Sequence, residues 1–463
     1  MTDRPNSLAA RDIAYHLHPY TNAQKHEKEG SLVITGGRGI YVIDENGKSY
    51  IEGLAGLWCA ALGFSEERLV EAAAVQLRRL PYYHTFTQKS HNVVVELAEK
   101  LVSIAPVPMS KAFFVNSGSE ANDTAVKIVW YYNNALGRPR KKKIISRLKA
   151  YHGVTVAAAS LTGLPNNHRD FDLPIPNILH ADCPHYWRYG REGESEEAFA
   201  ARMAESLEQL ILKEGPDTVA AFIAEPVMGA GGVILPPRTY FEKVQAVLGK
   251  YDVLLIADEV ICGFYRTGNL WGSQTFGLKP DILTMAKALS ASYLPIAAVL
   301  VNERVYDAIR DNSARIGTFG HGYTYSGHPV SCAVALETLK IYEERDILGH
   351  VRALAPTFAR RMRALAEHRL VGEARSVGLI GGLELVRDKA TKTPFDPAQA
   401  IAVEVARRAL DHGLIVRAIA DTVAVCPPLI ITETELDDLF DRLTRALDDT
   451  AAAAGASALG AVA

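Results

Sequence analysis

Val253-Leu254-Leu255-Ile256-Ala257-Asp258-Glu259-Val260 and Ile282-Leu283-Thr284-Met285-Ala286-Lys287 decide the reading of this chain. Each is an apolar, strand-like run that ends on charge, and one unit containing the turn glycines Gly263 and Gly268 separates them. Short continuous apolar runs bounded by turn signals fit strands buried on both faces. A lysine that closes such a run loses hydration, which disfavours its charged form and lowers its pKa. Lysines in that state form Schiff bases. The aspartate on the neighbouring run is placed to hold the nitrogen of a cofactor ring.

Outward from this pair the same pattern repeats. Strand candidates are Ala112–Val115, Lys143–Ser146, Ala220–Ala224, Val253–Ala257, Ile282–Met285 and Ile296–Val301, with helix candidates at Ala121–Tyr132 and Phe199–Lys213. The alternation predicts a mostly parallel sheet with helices on both faces, and ligands bind beyond the carboxyl ends of such strands. Before it, Ile40–Ile43 and Ser49–Ile51 flank an Asn46-Gly47 pair, a hairpin signal. After it, Leu379–Val386, Leu414–Val416, Thr422–Val425 and a helix over Glu433–Asp448 form a smaller α+β unit, which the hairpin is expected to join. The expected division is a 1–75 segment contributing to the small domain, a large domain over 76–327, a small α+β domain over 328–450, and a disordered alanine-rich tail over 451–463.

Successive strand ends carry chemistry. Val115-Asn116 leads into Ser117-Gly118-Ser119-Glu120-Ala121-Asn122, where a helix opens. Free amides at its N-terminus, the positive dipole end, two hydroxyls and a glycine make a phosphate site. Tyr151-His152-Gly153 offers an aromatic face for stacking on a ring. Glu225-Pro226-Val227 halts a strand and places an acceptor near a ring substituent or a neighbouring residue. The Asp258 carboxylate keeps a pyridine nitrogen protonated, which makes the ring an electron sink. Each motif alone has a structural explanation, as a helix cap or a core aromatic. The ordered set, closing on Lys287, points to pyridoxal 5'-phosphate.

Composition narrows the field. The 463 residues are 48% hydrophobic and 22% charged, ordinary for a globular protein, and support one large domain and one smaller. A net charge of −3 gives no drive toward nucleic acid. The basic run from Arg138 to Lys143 reads as a solvated loop. Five cysteines without a CxxC pair exclude a disulfide framework or a zinc module and point to a reducing compartment. No apolar stretch reaches the roughly 20 residues of a membrane helix. Met1-Thr2-Asp3-Arg4-Pro5 lacks the order of a secretory signal, so a cytoplasmic enzyme is expected.

With Gly320-His321-Gly322-Tyr323-Thr324-Tyr325-Ser326-Gly327-His328-Pro329 added, these motifs resemble those of class III (ω-type) aminotransferases. Those are α/β enzymes of fold-type I pyridoxal-phosphate transferases, with a large domain of mostly parallel sheet flanked by helices and a smaller α+β domain. Leu57-Trp58-Cys59 and the His-Gly-Tyr-Thr-Tyr-Ser-Gly-His-Pro segment look most like amine:pyruvate ω-transaminases. The resemblance implies that Lys287 carries the Schiff base and moves the proton. Asp258 pairs with the ring nitrogen, Tyr151 stacks on the ring, and Val260 packs on its other face. Ser117, Gly118 and Ser119 take the phosphate, Glu225 lies by the ring, and Thr324 reaches the phosphate of a neighbouring subunit in a homodimer or tetramer. Trp58, Phe86 and Tyr151 line the substrate pocket, and Arg417 clamps a keto-acid carboxylate. The expected reaction is ping-pong transfer from a primary amine or ω-amino acid to a keto acid, with pyruvate favoured. An aminomutase, racemase or decarboxylase on the same scaffold is the alternative, and a non-catalytic cofactor-binding protein a further one. No metal, nucleic acid or membrane partner is expected.

Overall fold

The computed structural model describes residues 6–460, and its strands follow the apolar runs of the sequence. In chain order they begin with β1 (Ile34–Arg38), β2 (Tyr41–Asp44), β3 (Ser49–Glu52), β4 (Lys111–Val115) and β5 (Lys143–Arg147). β6 (Ile178–Ala181), β7 (Val219–Ala224), β8 (Leu254–Asp258), β9 (Ile282–Met285) and β10 (Ala297–Val301) follow. β11 (Val371–Val377), β12 (Ile380–Leu385), β13 (Leu414–Ile415), β14 (Arg417–Ile419) and β15 (Thr422–Val425) complete the series.

β4 to β10 form one seven-stranded sheet in the order 4-10-9-8-7-5-6. The five neighbours β9, β8, β7, β5 and β6 are parallel, whereas β10 runs against both β4 and β9. Two reversals cancel. β4 therefore points the same way as the parallel five, and its carboxyl end at Val115 opens on the same edge as theirs. Alternate residues feed two apolar layers: Ile144, Ile223, Ile256, Ile282 and Val299 enter one, Ile145, Phe222, Leu255, Leu283 and Leu300 the other. Burial on both faces explains why these strands read as unbroken apolar runs.

Two four-stranded sheets flank this core, in the orders β1-β2-β3-β13 and β11-β12-β15-β14. The hairpin β2–β3 meets the C-terminal part of the chain through parallel pairing of Ile51 with Leu414 and Glu52 with Ile415. Strands β1, β6 and β11 carry no plain sequence signal. β1 reads Ile-Thr-Gly-Gly-Arg, and His180 interrupts the apolar character of β6. The last helix, Glu433–Gly460, runs through the alanine stretch read as a frayed tail, because alanine is the strongest helix former. Residues 461–463 of that tail lie outside the described residues.

The basic run is an exposed loop over Arg138, Pro139 and Arg140, as expected, and is drawn into the fold from Lys141 onward. Arg138 pairs with Asp252 and Arg140 with Asp217. Lys141 is buried and donates to the Tyr251 carbonyl at 2.9 Å, and Lys143 meets Glu214 at 2.8 Å. Carboxylates distant in sequence turn the charge run into a staple at the amino end of β5.

Candidate active site

Register places the key side chains on one edge. Ala224 pairs with Ala257, and Asp258 pairs with Thr284, so Glu225 and Asp258 sit side by side with Lys287 just beyond the end of β9. The Asp258 carboxylate is buried and held from three sides. His152 Nδ1 lies 2.7 Å and Asn122 Nδ2 2.8 Å from Oδ2, while the Val260 amide donates to Oδ1 at 3.1 Å. Asn122 Nδ2 also donates to the His152 carbonyl at 2.7 Å, tying the helix Gly118–Ala135 to the loop after β5. The next residue points elsewhere: Glu259 accepts from the Gly272 and Ser273 amides and the Ser273 hydroxyl. Burial pushes its carboxyl up to about 7. Adjacent acids thus serve opposite sides of one strand end.

Lys287 opens a short helical turn with φ 48°, a left-handed conformation that costs a non-glycine residue energy. Ala291 and Ser292 close the turn with φ 46° and 67°. The buried Tyr342 hydroxyl donates to the Ala288 carbonyl at 2.7 Å and pins it. Burial lowers the Lys287 pKa, opposed by the negative charge of Asp258.

The helix Gly118–Ala135 lies across the sheet, touching β4, β10, β9, β8 and β7, which carries its N-terminus toward Asp258. Ser117 caps it, its hydroxyl accepting from the Glu120 amide at 3.2 Å. The amides of Gly118 and Ser119 meet no acceptor among the described residues. A Cβ on Gly118 would lie 3.1 Å from both Val260 methyls, so the helix end rests directly on Val260. Ser119 Oγ accepts from the Val154 amide at 3.1 Å. Gly153, with φ 129°, permits that approach: a Cβ there would stand 2.4 Å from Ser119 Oγ.

Glu225 uses both carboxylate oxygens on backbone amides, Tyr151 at 3.0 Å and Gly229 at 3.1 Å. It sets the position of Tyr151. Gly118, Ser119, Asn122, Tyr151, His152, Gly153, Glu225, Asp258, Val260 and Lys287 line a single cavity, with Leu57, Ile261 and Ala286 as its apolar wall. Burial raises the Tyr151 phenol pKa, and the nearby Tyr20 adds to the shift. Arg417, at the start of β14, is half-buried near both tyrosines, and desolvation lowers its pKa.

Five expected residues are not among that lining: Ser117, which caps the helix, Arg417, near Tyr151, and Trp58, Phe86 and Thr324. Trp58 is only 2% exposed and packs with Leu54, Val227 and Ile261, while its neighbour Leu57 faces the cavity. Phe86 is 43% exposed and lies against Gly322. Thr324 is exposed, its carbonyl accepting from the Tyr82 hydroxyl at 2.8 Å. Asn122, Tyr20 and Leu57 join the site without a role read from sequence. Asn122 lay inside a quoted motif, but only the crossing helix shows what it holds.

A family model described as aminotransferase class-III matches residues 22–447. The chain is a class III aminotransferase. It is 52% identical over 455 residues to a protein named gamma aminobutyrate transaminase 3, chloroplastic, of Solanum lycopersicum, covering 97% of this chain and 88% of that one. The ω-transaminase of Pseudomonas jessenii in complex with PMP is 58% identical with a TM-score of 0.96, over 97% of this chain and 99% of that one. A thermostable ω-transaminase variant, W58M/F86L/R417L, engineered for synthesis of bulky amines, is 57% identical with a TM-score of 0.95, over 96% and 99%. The fold is that of fold-type I pyridoxal-phosphate transferases, the cofactor is pyridoxal 5'-phosphate, and the reaction class of this aminotransferase is amino-group transfer. The site fits that group. Asn122 Oδ1 and His152 Nε2 are buried without partners, and the open amides of Gly118 and Ser119 offer donors to a phosphate.

Proposed function

We propose that this aminotransferase moves nitrogen from a primary amine or ω-amino acid to a short keto acid, pyruvate above all, in two half-reactions at one site. The observation that carries the reading is Arg417. No carboxylate among the described residues pairs with its half-buried guanidinium, which faces Tyr151 and Tyr20. A desolvated guanidinium fork favours a planar carboxylate through two parallel hydrogen bonds. Pyruvate and an ω-amino acid both bring one; an uncharged amine does not. The names of the relatives cover both substrate classes, γ-aminobutyrate for one and, for another, bulky amines as the products of synthesis. Trp58, Phe86 and Arg417 carry the residue types changed in the engineered variant.

The division of labour follows from the geometry. Bound pyridoxal phosphate supplies the electron sink. Lys287 Nζ, shifted by burial toward its uncharged, proton-accepting form, takes the proton from the substrate Cα and returns it. Asp258, fixed by Asn122 and His152, presents its negative charge to the ring nitrogen. Tyr151 and Val260 would enclose the ring, Ser117, Gly118 and Ser119 would take the phosphate, and Glu225 holds Tyr151 in place. Thr324 and Phe86, exposed on one face with Tyr82 and Tyr325, complete the site of a second copy in a homodimer. All five cysteines are free and four are buried, in keeping with a reducing cytoplasm, although the plant relative is named chloroplastic.

A donor panel of γ-aminobutyrate, β-alanine and a neutral aralkylamine, each with pyruvate and 2-oxoglutarate, tests the proposal. Pyruvate should give the higher kcat/KM, and Arg417→Leu should weaken keto acid and ω-amino acid far more than the neutral amine. A preference for 2-oxoglutarate, or an equal loss for all substrates, overturns it.

A further inference from the structure

The N-terminal segment carries a cluster that amino transfer does not use. Asp12 projects from the helix Leu8–Tyr15, His16 ends that helix, His18 follows in the loop, and His26 belongs to the helix Ala23–Glu29. Their polar atoms converge on one carboxylate. His16 Nδ1 lies 3.1 Å from Asp12 Oδ1, and His18 Nε2 2.8 Å from Asp12 Oδ2. His26 Nε2 lies 3.5 Å from that same Oδ2, which also accepts from the Ser31 hydroxyl. The ligand atoms of Asp12, His16 and His18 all fall within 4.8 Å of one another, and His26 Nε2, close to Asp12 alone, stands outside that group as a fourth donor that a metal would draw in. Ring centroids of His16 and His18 are 4.2 Å apart, and those of His18 and His26 4.4 Å.

An ion-pair network accounts poorly for this packing. One carboxylate neutralises one imidazolium, and further imidazolium charges beside it repel. His26 decides the matter: its side chain is 10% exposed, and its Nε2 is buried without a hydrogen-bond partner while directed at the cluster. Three imidazole nitrogens and one carboxylate are the donor set of borderline divalent transition metals, with metal–ligand distances of about 2.0–2.2 Å. The second His–carboxylate group, His185 with Glu373 and Glu384, differs. Arg375 and Arg188 already neutralise its two glutamates.

We propose that Asp12, His16, His18 and His26 form a binding site for a divalent transition metal of the zinc class. The metal staples the N-terminal segment onto itself. Tyr20 lies between His18 and His26, accepts from Asn167 Nδ2 at 2.5 Å and stands close to Tyr151 at the cavity. Fixing both histidines fixes the tyrosine beside Tyr151, so the metal shapes the pocket entrance without touching the chemistry.

The test uses tag-free holoenzyme, treated with a chelator, dialysed and titrated with Zn²⁺ by calorimetry, with metal content measured afterwards. One equivalent per chain should bind, and the His18→Ala/His26→Ala variant should lose affinity by about 100-fold or more. His185→Ala should bind as the parent does. Retained cofactor absorbance shows that the variants fold. Hydrogen exchange gives a second readout: Zn²⁺ should protect amides of residues 8–31 in the parent and not in the double variant. Substoichiometric binding by the parent, or equal binding by the double variant, overturns the site. Either result leaves the donor and acceptor assignments standing, since those are read from the Arg417 panel.

Discussion

At Gly118, in the proposed phosphate cradle, the constraint comes from Val260 as well as from any ligand. A methyl group added there meets both Val260 methyls at 3.1 Å. Such overpacking costs about 1–3 kcal/mol. Gly118→Ala should therefore weaken pyridoxal phosphate binding by about tenfold, read by titrating the apoenzyme, and adding Val260→Ala should recover much of it. A double variant no better than the single one would show that this contact does not set the spacing. Asn122 poses a different case, since one amide group bonds both His152 and Asp258. Asn122→Ala should destabilise the fold by about 1–3 kcal/mol in denaturant titration and loosen the cofactor. An unchanged midpoint and unchanged affinity would remove it from the site. Asp258, Tyr151 and Lys287 were legible in the sequence because strand ends are local signals. Asn122 and Tyr20 were not, because each acquires its role from a helix or segment that crosses to a distant strand end.

Strand content was legible for the same local reason, and strand direction was not. β10 is as apolar as its parallel neighbours, so nothing in its composition shows that it runs backwards. At the end of β3, Glu52 carries a consequence for stability. It is buried at the turn before Leu54, whose amide donates to it at 2.9 Å, and desolvation pushes its carboxyl up to about 7. A folded-state pKa above the unfolded value of about 4.5 means that the folded chain binds the proton more tightly. The resulting stabilisation is whole below that unfolded value and is lost as pH rises through about 7. The shift corresponds to a change on the order of 3 kcal/mol. Glu259 adds a slope of the same sign. Glu52→Gln should make the fall in stability between pH 5 and 8 shallower, whatever constant offset the lost acceptor brings. Denaturation midpoints across that range measure it, and parallel pH profiles for parent and variant would refute it.

For the whole molecule, the sequence reading and the single chain disagree on which aromatics meet water, and the disagreement is informative. Trp58 was expected to line the pocket and lies in the core, while Phe86 was expected there and stands on the surface. Trp58 has φ 67°, in a turn that leaves its ring among Leu54, Val227 and Ile261. Phe86 shares its face with Tyr82, Tyr83 and Tyr325, and the Tyr82 and Tyr325 rings meet edge-on at 5.9 Å. Large exposed aromatic patches on soluble proteins mark interaction surfaces. The same face holds Thr324, the residue the family pattern sends to a neighbouring phosphate, so one surface explains both observations if a second copy covers it. Tyr325, 59% exposed, is a suitable probe because it is distant from the Lys287 turn in sequence and contributes nothing to the cavity wall. Tyr325→Asp places charge in the proposed interface and should shift the sedimenting species from dimer toward monomer. If the proposed dimer holds, specific activity should then fall on dilution, with cofactor lost in step, because each cavity would lack the partner's threonine. A parent enzyme that sediments as a monomer with full activity would mean that the face serves another purpose and that one chain completes its own site.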